Sequence, residues 1–166
     1  MDRYYYIASQ LPFLQFDSDE SGFTRENFFY EAEKWLESKE YKTLEELDIN
    51  STKITSSDAG IIVKYKEYES MLRKELMAWR KAHKEGYEHK TVLIPLATLK
   101  ENHPLDIEKK LLKLRWDFLE DLELGHYFDI EFLILYHYKL QILERLKSFD
   151  REKGLENFKQ YTEVGV

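Results

Sequence analysis

The sequence has no cysteine in its 166 residues, only three prolines and six glycines. Without cysteine there is no disulfide, no thiolate metal site and no cysteine nucleophile. The glycines stand apart from one another, so no glycine-rich phosphate loop is present, and the Gly-x-Ser-x-Gly and Ser-x-x-Lys patterns of nucleophilic enzymes are absent too. We therefore predict no catalytic residue, no bound metal and no cofactor, and we interpret the protein as a non-enzyme.

Long hydrophobic runs and a targeting sequence are also missing. The start of the chain, Met1–Tyr6, lacks the basic region and apolar core of a signal peptide. The longest uncharged apolar stretch covers only residues 132–138, whereas a membrane-spanning helix needs about 20 apolar residues. The sequence predicts a cytoplasmic protein without direct membrane insertion.

The charge is negative overall but unevenly spread. The net charge is −7, with 34% charged and 43% hydrophobic residues. So many apolar residues favour one packed domain over 1–166, and the negative charge argues against nucleic-acid binding. Residues 61–116 are the exception, with 13 Lys and Arg against 8 Asp and Glu. We favour the interpretation that this basic segment complements the acidic ends of the chain within one compact unit. The alternative is that it presents a basic face to a partner.

Apolar residues recur at helical spacing along most of the chain, and these patterns predict a mainly α fold, an elongated bundle of about five helices. Thr24 is a candidate N-cap for a helix of roughly 15 residues, and Thr43 for a brief helical piece. A long helix is expected at about 58–83, another from Pro104, and a central, two-sided one after Asp129. Further features are a short N-terminal segment at 3–9 that is either strand or helix, an extended packed linker at 91–99, and a last helix capped by Asp150.

The nearest approach to a chemical motif is the set Glu120, Glu123 and His126. A Glu-x-x-His spacing places two metal ligands on one helical face, as in di-iron bundles, but those sites need a second such pair and two further glutamates. We favour His126 as a residue stabilised at a helix C-terminus. A small metal-dependent enzyme that uses Glu120, Glu123 and His126 remains the alternative.

His137 and the basic group of the long helix have structural interpretations. His137 lies in the most apolar helix, where a core imidazole bonded to a neighbour is commoner than a catalytic one. The basic residues could bind phosphates, but they occupy the polar side of an amphipathic helix, so a solvated face is preferred. They are Arg73, Lys74, Arg80, Lys81 and Lys84.

Aromatic residues are the positive signal, because the chain has 12 tyrosines and three tryptophans. Tyrosine and tryptophan combine a large apolar body with a polar tip and are enriched at protein interfaces. Six tyrosines exceed what one small core needs, and we predict that some of them form a protein-binding surface. They are Tyr4, Tyr5, Tyr6, Tyr127, Tyr136 and Tyr138.

Two parts of the sequence resemble a known family. The first is Tyr4–Pro12 followed by Phe16 and Asp17; the second comprises Arg115–Leu122, Gly125–Asp129, Tyr138–Arg145 and Phe149–Gly154. Together they resemble an uncharacterised bacterial family encoded in V-type (A/V-type) ATP synthase operons and distantly similar to the C subunit, called d in eukaryotes.

The C subunit is a helical socket between the central stalk and the membrane rotor ring. The resemblance therefore implies a non-catalytic accessory subunit that contacts other subunits in rotor coupling or assembly, at the periphery of the inner membrane. It also implies that Asp129 is a helix cap and that Lys139, Leu140 and Gln141 are structural. C subunits contain three helical repeats, and this chain is too short for three. A general scaffold outside the ATPase is a further alternative.

Overall fold

The computed structural model describes residues 2–18 and 22–163, which form seven helices and no strand. The predicted mainly α fold and helical bundle are confirmed. The helices are α1 (Asp2–Gln10), α2 (Arg25–Trp35), α3 (Ser38–Glu46), α4 (Gly60–Glu85), α5 (Leu96–Leu99), α6 (Pro104–Glu123) and α7 (Ile130–Glu163). Among the described residues no helix is long and apolar enough to cross a membrane.

Local chemistry sets several helix boundaries, and those at Thr24 and Pro104 confirm predictions. Thr24 caps α2, because its Oγ1 accepts from Asn27 N at 3.3 Å while Asn27 Oδ1 accepts from Thr24 N at 2.9 Å. The long helix ends at Gly86, whose φ of 79° is the left-handed conformation that favours glycine at a helix C-terminus. Pro104 opens α6, as its fixed φ and missing N–H allow.

One open alternative is resolved, and three local predictions need correction. Residues 3–9, left open between strand and helix, belong to α1. Thr43 caps nothing; it lies inside α3, where its hydroxyl donates to Lys39 O at 2.9 Å. The linker at 91–99 is helical from Leu96 to Leu99. Asp150 begins no new helix, because α7 continues without a break to Glu163, and the sequence has no proline there to stop it.

The core is built around α7. Every residue from 133 to 143 is buried, which confirms the prediction of a central helix with neighbours on more than one side. The main cluster of buried residues draws on α1, α2, α3, α4, α6 and α7. A smaller cluster, Leu72, Ile94, Leu99 and Leu111, lies where α4 and α6 meet the segment around α5. Both α4 and α6 contribute to the two clusters.

Candidate functional site

The three residues of the candidate metal motif do not converge. Glu120 accepts from the Trp116 indole Nε1 at 2.8 Å, and Glu123 forms a salt bridge with Lys139 from α7. His126 lies beyond the end of α6 and bonds Asp129 through Nδ1 at 2.7 Å. The Glu120, Glu123 and His126 set is therefore not a site in this fold, because each side chain is used by a different neighbour.

His126 has other possible co-ligands. His126, Asp129 and Glu131 bring their ligand atoms within 4.8 Å of one another. Asp129 is already engaged, since its Oδ1 accepts from Phe132 N at 2.9 Å and caps α7. The positive end of the helix dipole at this N-terminus also opposes a cation. The cluster is better explained as the capping arrangement that starts the central helix.

His137 is a core histidine, as predicted. Its ring is fully buried, stacks on Phe28 with centroids 5.6 Å apart, and accepts from Arg25 Nε through Nε2 at 3.2 Å. Burial, with a smaller contribution from the Arg25 charge, lowers the pKa of His137 to about 3. The imidazole is thus neutral at pH 7, and its Nδ1 has no hydrogen-bond partner within the described structure.

The structural roles assigned to the segment after Asp129 are confirmed. Lys139 is buried and neutralised by Glu123. Gln141 is buried and bridges the end of α3, because its Nε2 donates to Leu47 O and its Oε1 accepts from Ile49 N, both at 2.9 Å. The predicted solvated face is confirmed for four of the five basic residues of α4, since Lys74, Arg80, Lys81 and Lys84 are exposed. The fifth, Arg73, pairs instead with the buried Glu69 carboxylate at 2.7 Å.

The tyrosines divide between core and surface. Tyr136 and Tyr138 are buried, and burial raises the pKa of both phenols above its usual range. Tyr5, Tyr6 and Tyr127 are 53%, 50% and 63% exposed. Three of the six tyrosines are therefore exposed, and their part in a protein-binding surface stays a prediction.

The exposed tyrosines belong to a group of neighbouring rings that we call the aromatic cluster: Trp35, Tyr6, Tyr5 and Phe128. Tyr6 stacks on Trp35 with centroids 5.2 Å apart, Tyr5 lies 6.0 Å from Tyr6, and Phe128 lies 5.0 Å from Tyr5. Each of the four side chains is at least 39% exposed. Large apolar rings that contact one another and still face solvent are characteristic of a protein-binding surface.

Three separate parts of the chain supply the aromatic cluster. Tyr5 and Tyr6 project from α1, whose Ile7 is fully buried and turns the other side of the helix inward. Trp35 is the last residue of α2. Phe128 follows a turn at Gly125, where φ is 89°, in the loop between α6 and α7. Only the folded chain brings these rings together.

The short helix α1 is fixed to the body by charged and polar contacts. Arg3 donates to Glu37 at 2.7 Å and to Glu40 at 2.9 Å, and the Tyr4 hydroxyl donates to Glu40. Burial, and then the hydrogen bond to Glu40, raise the pKa of Tyr4. These contacts hold α1 against the start of α3, so the two rings that α1 supplies to the cluster are held in place.

A second surface feature is a groove of about 910 Å³ between the end of α4 and the segment that follows it. The Glu75 carboxylate fixes this segment by accepting from Leu93 N and Ile94 N at 2.9–3.1 Å. Trp79 and Leu99 line the groove, and Val92 at its edge is 92% exposed. The groove holds one stacked pair of rings, Trp79 and His83, with centroids 5.2 Å apart, and Trp79 is half-buried.

Sequence reasoning missed two members of the cluster. Trp35 shares helical spacing with the buried Phe28 and Ala32, but its position as the last residue of α2 leaves it 39% exposed. Phe128 carried no periodic signal, because it lies in a loop. The run Gly125-His126-Tyr127-Phe128 contains the available clue, since Tyr127 and Phe128 lie in a loop between two helices and outside either apolar stripe.

Comparison with known proteins gives one partial match. Residues 86–164 match a family described as "Protein of unknown function (DUF2764)". The matched region includes α6, Phe128 and α7, but neither α1 nor Trp35. No curated protein matches the chain, and no solved structure matches it.

Proposed function

We propose that this chain is a non-catalytic accessory subunit of a V-type ATP synthase, similar to the C subunit, which contacts its partners through the aromatic cluster. The observation that carries the binding role is the set of four contacting rings that stay exposed to solvent. Residues of this kind dominate the free energy of protein interfaces. The choice of partner rests on the two resembling sequence segments.

Both resembling segments take part in the candidate surface. The first includes Tyr5 and Tyr6, and the second includes Phe128. In this proposal the central stalk or the membrane ring supplies the contacting subunit, and the chain sits at the periphery of the inner membrane through that complex. Its role is coupling or assembly, which requires a rigid helical body and a binding surface but no reacting group.

Affinity purification of a tagged full chain from its native cells tests this function. The wild-type protein is expected to retrieve stalk or ring subunits, identified by mass spectrometry. The double variant Tyr5→Gln/Tyr6→Gln should lose them, because it removes two rings from the cluster while keeping residues that favour a helix. The matched control Tyr87→Gln/Tyr161→Gln changes two exposed tyrosines elsewhere and should retrieve the same subunits as the wild type.

Two outcomes would contradict the proposal. If the wild-type protein never retrieves ATP synthase subunits, and its gene lies far from any ATPase cluster, the assignment to that machine is wrong. If it retrieves a different protein, and the Tyr5→Gln/Tyr6→Gln variant loses that protein, the cluster binds a partner outside the ATPase and the chain is a general scaffold.

A further inference from the structure

The outer face of α4 carries a row of residues that we call the basic stripe: Lys74, Met77, Arg80, Lys81 and Lys84. Lys74, Met77 and Lys81 follow at spacings of three and four, and Lys84 comes three residues later. Because α4 is one continuous helix, these spacings place the side chains next to one another on one side. All five residues are exposed, with Met77 at 66%, so the stripe faces solvent.

The acids of this part of α4 are engaged with the protein itself. Between residues 68 and 84 the sequence has five Lys and Arg and only two acids, Glu69 and Glu75. Glu69 is fully buried and accepts from Arg115 and Arg73 at 2.6–2.9 Å. The Glu75 carboxylate accepts from backbone N–H groups of the segment after α4. Folding therefore turns these carboxylates towards the protein and leaves four of the five cations outside.

The cations of the basic stripe have no counter-charge within the molecule. Among the carboxylates that the structure describes, none forms an ion pair with a cation of the stripe, not even Glu85, four residues after Lys81. Lys84 lies three residues after Lys81 and four after Arg80, and like charges at these spacings repel. An anionic partner would relieve this repulsion, and no internal ion pair would have to break.

The overall charge and the buried side of α4 indicate the kind of anion. A chain with a net charge of −7 repels nucleic acid, whose binding depends on neutralising many phosphates. A helix that binds a membrane surface inserts its apolar face among the lipids, whereas the apolar face of α4 is buried in both clusters, at Tyr65 and Leu72. Met77 adds a flexible apolar side chain of the kind used at protein-binding surfaces. A protein segment that carries carboxylates and an apolar residue fits these features.

We propose that the basic stripe binds an acidic segment of a partner protein. Carboxylates of the segment accept charge-assisted hydrogen bonds from the four cations, and an apolar side chain of the segment covers Met77. Since α4 supplies no ring to the aromatic cluster, this second contact surface does not depend on the proposed function.

Fluorescence anisotropy with a labelled peptide tests this partner chemistry on the full chain. The probe is a peptide of glutamate and alanine with a central leucine, and its counterpart with glutamine in place of glutamate is the control. The wild-type protein should bind the glutamate peptide, with an affinity that falls as salt is added, because salt screens exposed charges. The glutamine peptide should bind at least about tenfold more weakly.

Variants separate the charged and apolar parts of the stripe. Lys74→Gln/Lys81→Gln/Lys84→Gln should weaken binding at low salt by about tenfold and flatten the salt dependence, since each exposed ion pair contributes only modestly. Met77→Gln should weaken binding about threefold at low and high salt alike, because it removes an apolar contact.

A matched control tests whether the position of the cations matters. Lys39→Gln/Lys53→Gln/Lys159→Gln makes the same change in net charge at exposed lysines elsewhere. It should leave binding of the glutamate peptide within twofold of wild type. Glutamine favours a helix nearly as well as lysine, so circular dichroism should show the same helix content in both triple variants.

Each contrary result has a definite meaning. Equal binding of the glutamate and glutamine peptides, or equal loss in the two triple variants, would overturn the inference. Tighter binding of a labelled single-stranded oligonucleotide, or of phosphatidylserine vesicles, that is lost in Lys74→Gln/Lys81→Gln/Lys84→Gln would assign the stripe to phosphates and would overturn it as well. Failure to retrieve ATPase subunits in the purification leaves the peptide result intact, so failure of the proposed function is distinguishable.

Discussion

At the scale of single residues, buried polar side chains form hydrogen bonds that join separate parts of the chain. Tyr65 donates from a fully buried hydroxyl to Ile49 O at 3.0 Å, and Gln141 satisfies two backbone groups beside it. His137 and Tyr138 are the exceptions in the described structure: His137 has one ring nitrogen bonded and one unsatisfied, and the Tyr138 hydroxyl has no hydrogen-bond partner. A buried imidazole of this kind is held neutral, which links folding to pH.

His137 should make the protein less stable in acid. The pKa of His137 is about 3 in the folded state and about 6.5 in an unfolded chain. Between these pH values only the unfolded state binds the proton. The contribution of neutral His137 to the free energy of unfolding is therefore complete above about pH 6.5 and is lost as the pH falls towards 3. The loss is no more than roughly 1.4 kcal/mol per pH unit. Urea unfolding from pH 7 to pH 4 should show a smaller pH slope for His137→Gln than for wild type. Identical slopes would show that His137 does not titrate in this way.

At the scale of elements, a buried ionic network fastens α4 to α6. The Glu69 carboxylate has no solvent exposure, and it accepts from Arg115 at 2.6 and 2.9 Å and from Arg73 at 2.7 Å. Desolvation lowers the pKa of the largely buried Arg115 guanidinium, but the opposing hydrogen bonds and charge of Glu69 leave it raised overall. Arg73 also donates to Asn50 O at 2.8 Å, so the network extends to the segment after α3.

Removing the Glu69 charge should be costly. Glu69→Gln leaves the Arg115 guanidinium largely buried without a counter-charge, and breaking such a pair typically costs about 3–5 kcal/mol. The free energy of unfolding, measured by denaturant titration, should fall accordingly. Glu67→Gln, at an exposed position of the same helix, should change it by less than about 0.5 kcal/mol. Equal effects of the two substitutions would contradict this role of Glu69.

At the scale of the whole molecule, the two apolar clusters share their helices. Tyr65 and Leu72 on α4 belong to different clusters, and so do Leu111 and Leu112 on α6. Neither α4 nor α6 can separate from one cluster without disturbing the other. This arrangement explains why we continue to predict a single domain over 1–166.

The chain should therefore unfold in one cooperative step. Trp116 reports on the main cluster and Trp79 on the smaller one. Denaturant transitions followed by tryptophan fluorescence and by far-ultraviolet circular dichroism are expected to coincide, as for a two-state domain. A separate early fluorescence change that is lost in Trp79→Phe would instead show that the smaller cluster unfolds alone.

Sequence reasoning succeeded where a signal is local. The stripe on α4, the Thr24 cap and the buried surroundings of α7 follow from periodicity and from hydrogen bonding over a few residues. It failed at Thr43 and Asp150, where a good capping residue occurs inside a helix. A capping side chain favours a helix start but does not stop a helix that tertiary packing continues.

By itself, the sequence determined the helical class, the central position of α7, the core role of His137 and the excess of aromatic residues, because each depends on composition or on neighbours within two turns. Only the tertiary structure decided that Glu120, Glu123 and His126 bond to different neighbours. It also decided which rings contact one another in the aromatic cluster: Trp35, Tyr6, Tyr5 and Phe128. The physical reason is that the packing of whole helices places side chains from distant segments. Periodicity in a single sequence predicts which face of a helix is buried, but it does not predict which helix packs against that face.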